Sequence, residues 1–116
     1  MVNFKDTLVP LGSSIKDAIS TINQSNAQLA LVVDAESVLY GIVTDGDIRR
    51  AILAGIQLDA EVCEIMTRNP FFLNEGSSRK DVLFLMQREV IHHVPILDIK
   101  NRVVDLYVLD DLLKKE

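Results

Sequence analysis

Ser13-Ser14-Ile15-Lys16-Asp17 returns later in the chain as Ser77-Ser78-Arg79-Lys80-Asp81. The offset is 64 residues, and without a gap it carries Gly12 onto Gly76, Asp34 onto Asp98 and Asp47 onto Asp111. Apolar positions follow: Ile19 falls on Leu83, Ile22 on Met86, Val32 on Ile96, Ile42 on Leu106 and Ile48 on Leu112. Identities are few, yet caps, apolar runs and turns recur in one order, which marks an internal repeat.

Each copy reads helix, strand, turn, strand, helix. Ser14-x-x-Asp17 and Ser78-x-x-Asp81 are capping boxes, in which the serine accepts from an early backbone N–H and the acid reaches back. Ile15, Ala18, Ile19 and Ile22 recur at helical spacing, and Val82, Leu83, Leu85 and Met86 are their counterpart. Leu29 to Val33 is a continuous apolar run suited to a strand buried on both faces, and Val94 to Leu97 matches it. Polar turns at 34–37 and 98–101 lead into partner strands at 38–43 and 103–108, so each copy predicts an antiparallel hairpin. A helix over 45–54, stopped by Gly55, ends the first copy, and one over 109–115 ends the second. Between them, 62–66 predicts a short helix that Asn69-Pro70 breaks, and Phe71-Phe72-Leu73 a short strand.

The copies divide the chain into 1–61 and 62–116. One such unit is too small to cover both faces of its sheet. The expected fold is therefore α+β: two pseudo-symmetric units, each a three-stranded sheet with two helices, packed sheet to sheet. Clefts open along the seam, where strands turn into helices.

Composition sets the outer bounds. The length of 116 residues fits one compact domain, and 48% hydrophobic with 25% charged residues is ordinary globular usage. Seventeen acidic against twelve basic residues leave a net charge of −5, which opposes a grip on nucleic acid. No apolar run is long enough to span a membrane, and Met1 to Asp6 lacks the basic start and apolar centre of a signal peptide. The single cysteine, Cys63, forms neither an internal disulfide nor a zinc site, and a reduced cytoplasmic compartment is expected.

The chemistry concentrates in Gly41-Ile42-Val43-Thr44-Asp45-Gly46-Asp47, where a strand ends and a helix begins. Gly41 lets a ligand or a neighbouring backbone come close. Thr44 offers a hydroxyl, and the helix start offers free N–H groups and a positive dipole end that suit phosphate. Asp47, in the first helical turn, can accept from both hydroxyls of a ribose. The plainer reading is that Thr44 or Asp45 caps the helix and Asp47 complements its dipole. Magnesium on Asp45 and Asp47 would need more acids than the sequence supplies. His92 and His93 are adjacent, point to opposite faces of a strand and read as structural. Phe71 and Phe72 read as core. No catalytic constellation stands out.

Repeat and motif together resemble a tandem pair of CBS domains, a Bateman module, from about Thr7 to Leu113. Ile65-Met66-Thr67-Arg68-Asn69-Pro70 resembles the segment opening the second repeat, and His92-His93-Val94-Pro95-Ile96-Leu97-Asp98 the family's strand. The run Thr44 to Arg50, then Gly55, is similar to CBS pairs attached to sugar-phosphate nucleotidyltransferases and isomerases. The ending Leu106 to Leu113 is most similar to the nucleotidyltransferase group, in which the catalytic domain follows the pair.

The resemblance implies a regulatory rather than catalytic chain. It implies an adenosyl ligand (AMP, ADP, ATP or S-adenosylmethionine) in the seam, and a homodimer. The family motif falls on Gly41, Ile42, Thr44 and Asp47, with Asp47 on the ribose and Thr44 on phosphate. Backbone near Leu31 would meet the base, and Thr7 on the incoming segment is a further candidate. The second copy departs from the motif, with Asp105 for glycine and Val108 for threonine. Only Asp111 survives, so one competent site at most is expected. No required cofactor, metal, nucleic acid or membrane is implied. The alternative is a ligand-free dimerisation module.

Overall fold

The computed structural model describes residues 2–114. A turn of 3-10 helix at Phe4–Thr7 leads into β1 (Leu8–Pro10), α1 (Ile15–Ser25), β2 (Leu29–Val33), β3 (Leu39–Thr44) and α2 (Asp45–Leu53). A second 3-10 turn, Val62–Glu64, precedes β4 (Thr67–Arg68) and β5 (Leu73–Asn74). The chain continues through α3 (Arg79–Glu89), β6 (His93–Leu97), β7 (Val103–Val108) and α4 (Leu109–Leu113). The architecture is the expected α+β pair of small sheets, one ordered β1-β2-β3-β4 and the other β5-β6-β7.

The repeat persists to single residues. Val9 pairs with Val32 in parallel as Leu73 does with Ile96, and Leu29 meets Thr44 in antiparallel as His93 meets Val108. Both hairpins shift register at the same place, between Val32 and Val33 and between Ile96 and Leu97. Both capping boxes form, Ser14 with Asp17 and Ser78 with Asp81. The hairpin turns interlock reciprocally, the Leu39 amide donating to the Asn101 carbonyl at 3.1 Å and the Val103 amide to that of Ser37 at 2.9 Å. Within each turn an aspartate accepts from two backbone amides. The Val38 amide, then Glu36's, holds the Asp34 carboxyl below its usual range, and the Arg102 amide does the same for Asp98.

Period-two alternation explains why β2 is buried throughout. Ala30 and Val32 pack with Val9, Ile15, Ala18 and Val43 under the first pair of helices. Leu29, Leu31 and Val33 face the other way, into a central core with Leu97, Val103, Leu106 and Val108. Val82, Leu85, Met86, Val94, Ile96 and Leu112 form the third core, under the second pair of helices.

The structure corrects the sequence reading in two places. The first sheet has four strands rather than three, because β4 leaves the linker to pair with β3, Gly41 opposite Arg68 and Ile42 opposite Thr67. The approach is close: a Cβ on Gly41 would lie 2.7 Å from Met66 Sδ and 2.9 Å from the Thr67 carbonyl oxygen. Asp105 takes Gly41's register position in the other sheet, where β7 is an edge strand and the side chain is exposed. An edge charge there discourages further pairing. The second correction concerns Phe71 and Phe72, which are both exposed, because the following strand begins only at Leu73.

One residue is strained. Val90 ends α3 in the left-handed region, at φ 55° and ψ 51°, where its repeat-mate Asn26 ends α1. A β-branched residue there is an outlier, and Val90 is 83% exposed with little packing in return. Val90→Asn should stabilise the chain by about 1 kcal/mol, read as a raised urea midpoint. Val90→Gly should gain less, since glycine also loosens the unfolded chain.

Candidate functional site

Sequence places threonine and aspartate three residues apart at the β3–α2 junction, and the helix geometry brings them together. Thr44 caps α2: its Oγ1 accepts from the Asp47 amide at 3.4 Å, and Asp47 Oδ2 accepts from the Thr44 amide at 3.0 Å. The capping reading is therefore geometrically true, but it does not exhaust the pair. Asp47 Oδ2 also accepts from Thr44 Oγ1 at 3.2 Å, and Oδ1 from Arg50 Nη2 at 2.7 Å. Thr67 Oγ1, arriving on β4, lies 3.4 and 3.5 Å from the two carboxylate oxygens. These last contacts are at the weak end of the hydrogen-bond range. The carboxylate is 7% exposed and stands directly behind two hydroxyls.

Both hydroxyls line a cleft of about 430 Å³ at the seam. Ile42, Thr44 and Thr67 form one wall, Pro70, Phe71 and the exposed Val90 the rim, and Ile91 to His93 the wall supplied by the second repeat. The volume falls within the range of ordinary small-molecule sites.

The sequence-nominated residues separate into three groups. Ile42 and Thr44 line the cleft, with Asp47 behind them. Gly41 lies beneath β4, so the neighbour its missing Cβ admits is Met66 and Thr67 rather than open space. Leu31 and Thr7 are not brought to the cleft. Leu31 belongs to the central core on a strand paired on both sides, and buried Thr7 donates its hydroxyl to the Phe4 carbonyl at 2.6 Å. Asp111 lies in the other repeat, where its Oδ2 accepts from the Val2 amide at 3.1 Å. Around it Val2 and Phe4 pack against the cluster holding Ala27, Leu29, Leu106 and Val108. The amino-terminal segment thus packs beside Asp111 in the second repeat. Val108 caps nothing there, and α4 spans five residues where α2 spans nine.

Sequence reasoning missed Thr67, His92 and His93 as wall residues. Thr67 arrives only because the linker crosses onto β3, and the histidines because the second hairpin packs against the first. Burial, reinforced by His92 beside it, holds His93 below its ordinary pKa of 6.5. The unfolded chain then binds a proton more readily than the folded one, so stability falls as pH drops below about 6.5 and is retained above it. His93→Gln should flatten that limb of a Tm-versus-pH curve.

Asp45 does not join Asp47. It lines a different hollow, of about 470 Å³, between α1 and α2, with Ile19, Asn23 and Asn26. A shared metal on the two carboxylates is therefore not supported. Among the described residues, no group of three or more His, Cys, Asp or Glu side chains could hold a metal ion, and no helix is long and apolar enough to cross a membrane.

Comparison with known proteins identifies the family and the fold. An uncharacterised protein of Rickettsia prowazekii is 35% identical over 106 residues, covering 91% of this chain and 33% of its own length. The arabinose 5-phosphate isomerase GutQ of Salmonella typhi is 31% identical over 103 residues, covering 89% of this chain and 32% of the isomerase. The chain thus spans about a third of the length of the curated relatives it matches. Among solved structures, a CBS domain protein of Pyrobaculum aerophilum complexed with AMP superposes with a TM-score of 0.85 at 17% identity, covering 100% of this chain and 93% of the other. The cytosolic domain of the Mg2+ channel MgtE in complex with ATP gives 0.78 at 19% identity, covering 97% of this chain and 46% of the other. At these identities the likeness is one of fold. The family model for the CBS domain matches twice, over residues 5–54 and 62–116. The chain belongs to the CBS domain family, as a tandem pair.

Proposed function

We propose that the chain is a regulatory module that binds one adenine nucleotide in the seam cleft and thereby modulates an attached enzyme. The observation that carries this reading is the cleft itself. It opens between the repeats beside the threonine and aspartate of the first copy, while in the second copy valine stands in place of that threonine and the aspartate accepts from the Val2 amide. The ribose hydroxyls would replace the long Thr67 contacts on Asp47, and Thr44 and Thr67 would turn their hydroxyls to phosphate. Apolar Ile42 and Ile91 offer a surface for the base. Two proteins of the same fold, one with AMP and one with ATP, support the ligand class.

The mechanism is population shift: a ligand touching both repeats favours one arrangement of them, and the attached enzyme responds to that arrangement. The isomerase relatives, of which the chain matches about a third, favour a sugar-phosphate isomerase as partner over the nucleotidyltransferase suggested by the ending Leu106 to Leu113. On this reading the module works in the cytoplasm as a homodimer. Exposed Ile52 and Leu53 on α2, Phe84 on α3 and Leu113 on α4 give it apolar helix faces to pair. These faces also favour the second reading, a dimerisation module without ligand. Calorimetry with AMP, ADP, ATP and S-adenosylmethionine decides. Micromolar binding of one ligand per chain supports the sensor, and no heat from any of them beside a stable dimer supports assembly alone.

A further inference from the structure

The lining of the cleft is poor in positive charge. Among the described residues it contains no lysine or arginine: its polar groups are the hydroxyls of Thr44 and Thr67 and the imidazoles of His92 and His93. The cations nearby in the chain are turned elsewhere. Arg50 is engaged by Asp47 at 2.7 Å, and Arg68 donates to the Cys63 carbonyl at 3.3 Å. The α2 start is compromised as an anion site, because Asp45 and Asp47 occupy its first turn and the Asp47 amide already donates to Thr44. Burial keeps His93 biased towards its neutral form. The protein as a whole carries a net charge of −5.

We propose that this cleft sorts nucleosides by charge, accepting a nucleoside monophosphate and rejecting the corresponding triphosphate. The proposal rests on the nucleotide reading above and narrows it to a ligand class. One phosphate can be satisfied by two threonine hydroxyls with its outer oxygens in water. Each further phosphate brings charge to a wall that has no fixed cation to meet it, in front of a carboxylate and within a negative protein field. Desolvation then opposes binding without the compensation an arginine or lysine would give.

The test is calorimetry of the full chain with adenosine, AMP, ADP and ATP in magnesium-free buffer at pH 8. AMP should bind at least about tenfold more tightly than ATP, with ADP between, since about 1.4 kcal/mol of uncompensated charge gives that factor. Val90→Lys then adds the missing cation on the cleft rim, at a side chain that is already exposed. It should raise ATP affinity by about fivefold, the upper range for an exposed ion pair, and AMP affinity by less. ATP binding as tightly as AMP to the unmodified chain overturns the proposal. So does a Val90→Lys variant that gains nothing for ATP. Silence with all four compounds has a different meaning: the nucleotide reading itself fails and takes the charge rule with it.

Discussion

Asp47→Asn will leave the module folded and remove most of its nucleotide affinity. Asparagine keeps an oxygen that can accept from the Thr44 amide, now 3.0 Å from Asp47 Oδ2, and Thr44 keeps its own cap on the residue 47 amide. The Arg50 contact loses its charge, but Arg50 is an exposed partner and contributes little. The stability change should be about 1 kcal/mol or less. Binding is another matter. A carboxylate accepts from two ribose hydroxyls at once, whereas an amide offers one acceptor oxygen and sets a donor against the second hydroxyl. Trading two charge-assisted bonds for at most neutral ones should weaken binding by about a hundredfold. Asp111→Asn is the matched control, at the same repeat position but holding the Val2 amide. It should cost about 1 kcal/mol of stability and leave affinity unchanged. Equal affinity losses in both variants, or none in Asp47→Asn, would show that Asp47 is only a helix cap.

The contrast between these aspartates marks how far the amino-acid sequence alone reaches. The 64-residue offset that pairs them is kept in strand register, in both capping boxes and at the paired bulges. Local signals are enough there: capping boxes, a doubly buried run and turn aspartates each act within a few residues, and the repeat states each of them twice. The wall of the cleft is non-local, and local signals fail on it. Thr67 reaches Asp47 across twenty residues of sequence because β4 crosses to β3. Nothing in Ile65 to Pro70 alone says which sheet it joins. His93 reads as structural because adjacent strand residues point to opposite faces, so the histidine pair cannot easily share a ligand. Its place on the cleft wall comes from packing one repeat against the other. Phe71 misleads in the opposite sense, since an aromatic pair before a strand reads as core while the strand starts two residues later. The signal that could have located Thr67 is Gly41. A glycine inside a paired strand marks a close approach, and the approaching segment is Met66 and Thr67.

That close approach makes Gly41→Ala the second large expected effect. A methyl on an interior strand glycine ordinarily helps, because glycine is the poorer strand residue. Here the new carbon would stand 2.7 and 2.8 Å from Met66 Sδ and Cγ and 2.9 Å from the Thr67 carbonyl oxygen. Met66 is itself buried, with little room to swing, and the carbonyl is backbone and moves only with β4. Overpacking of this kind costs about 1–3 kcal/mol, and the upper half of that range applies because a strand must shift. The shift also carries Thr67 away from Asp47 and moves Pro70 and Phe71 at the rim, so nucleotide affinity should fall along with the urea midpoint. Asp105→Ala is the matched control, at the same register position on an edge strand with no neighbour to push. It should change stability by no more than about 0.5 kcal/mol. Combining Gly41→Ala with Met66→Ala removes the sulfur clash but leaves the carbonyl in place. The double variant should therefore cost less than the sum of the two single changes without returning to wild-type stability. A Gly41→Ala chain as stable as the parent would mean that β4 yields freely. The cleft wall it carries would then be a loose flap rather than a fixed part of the site.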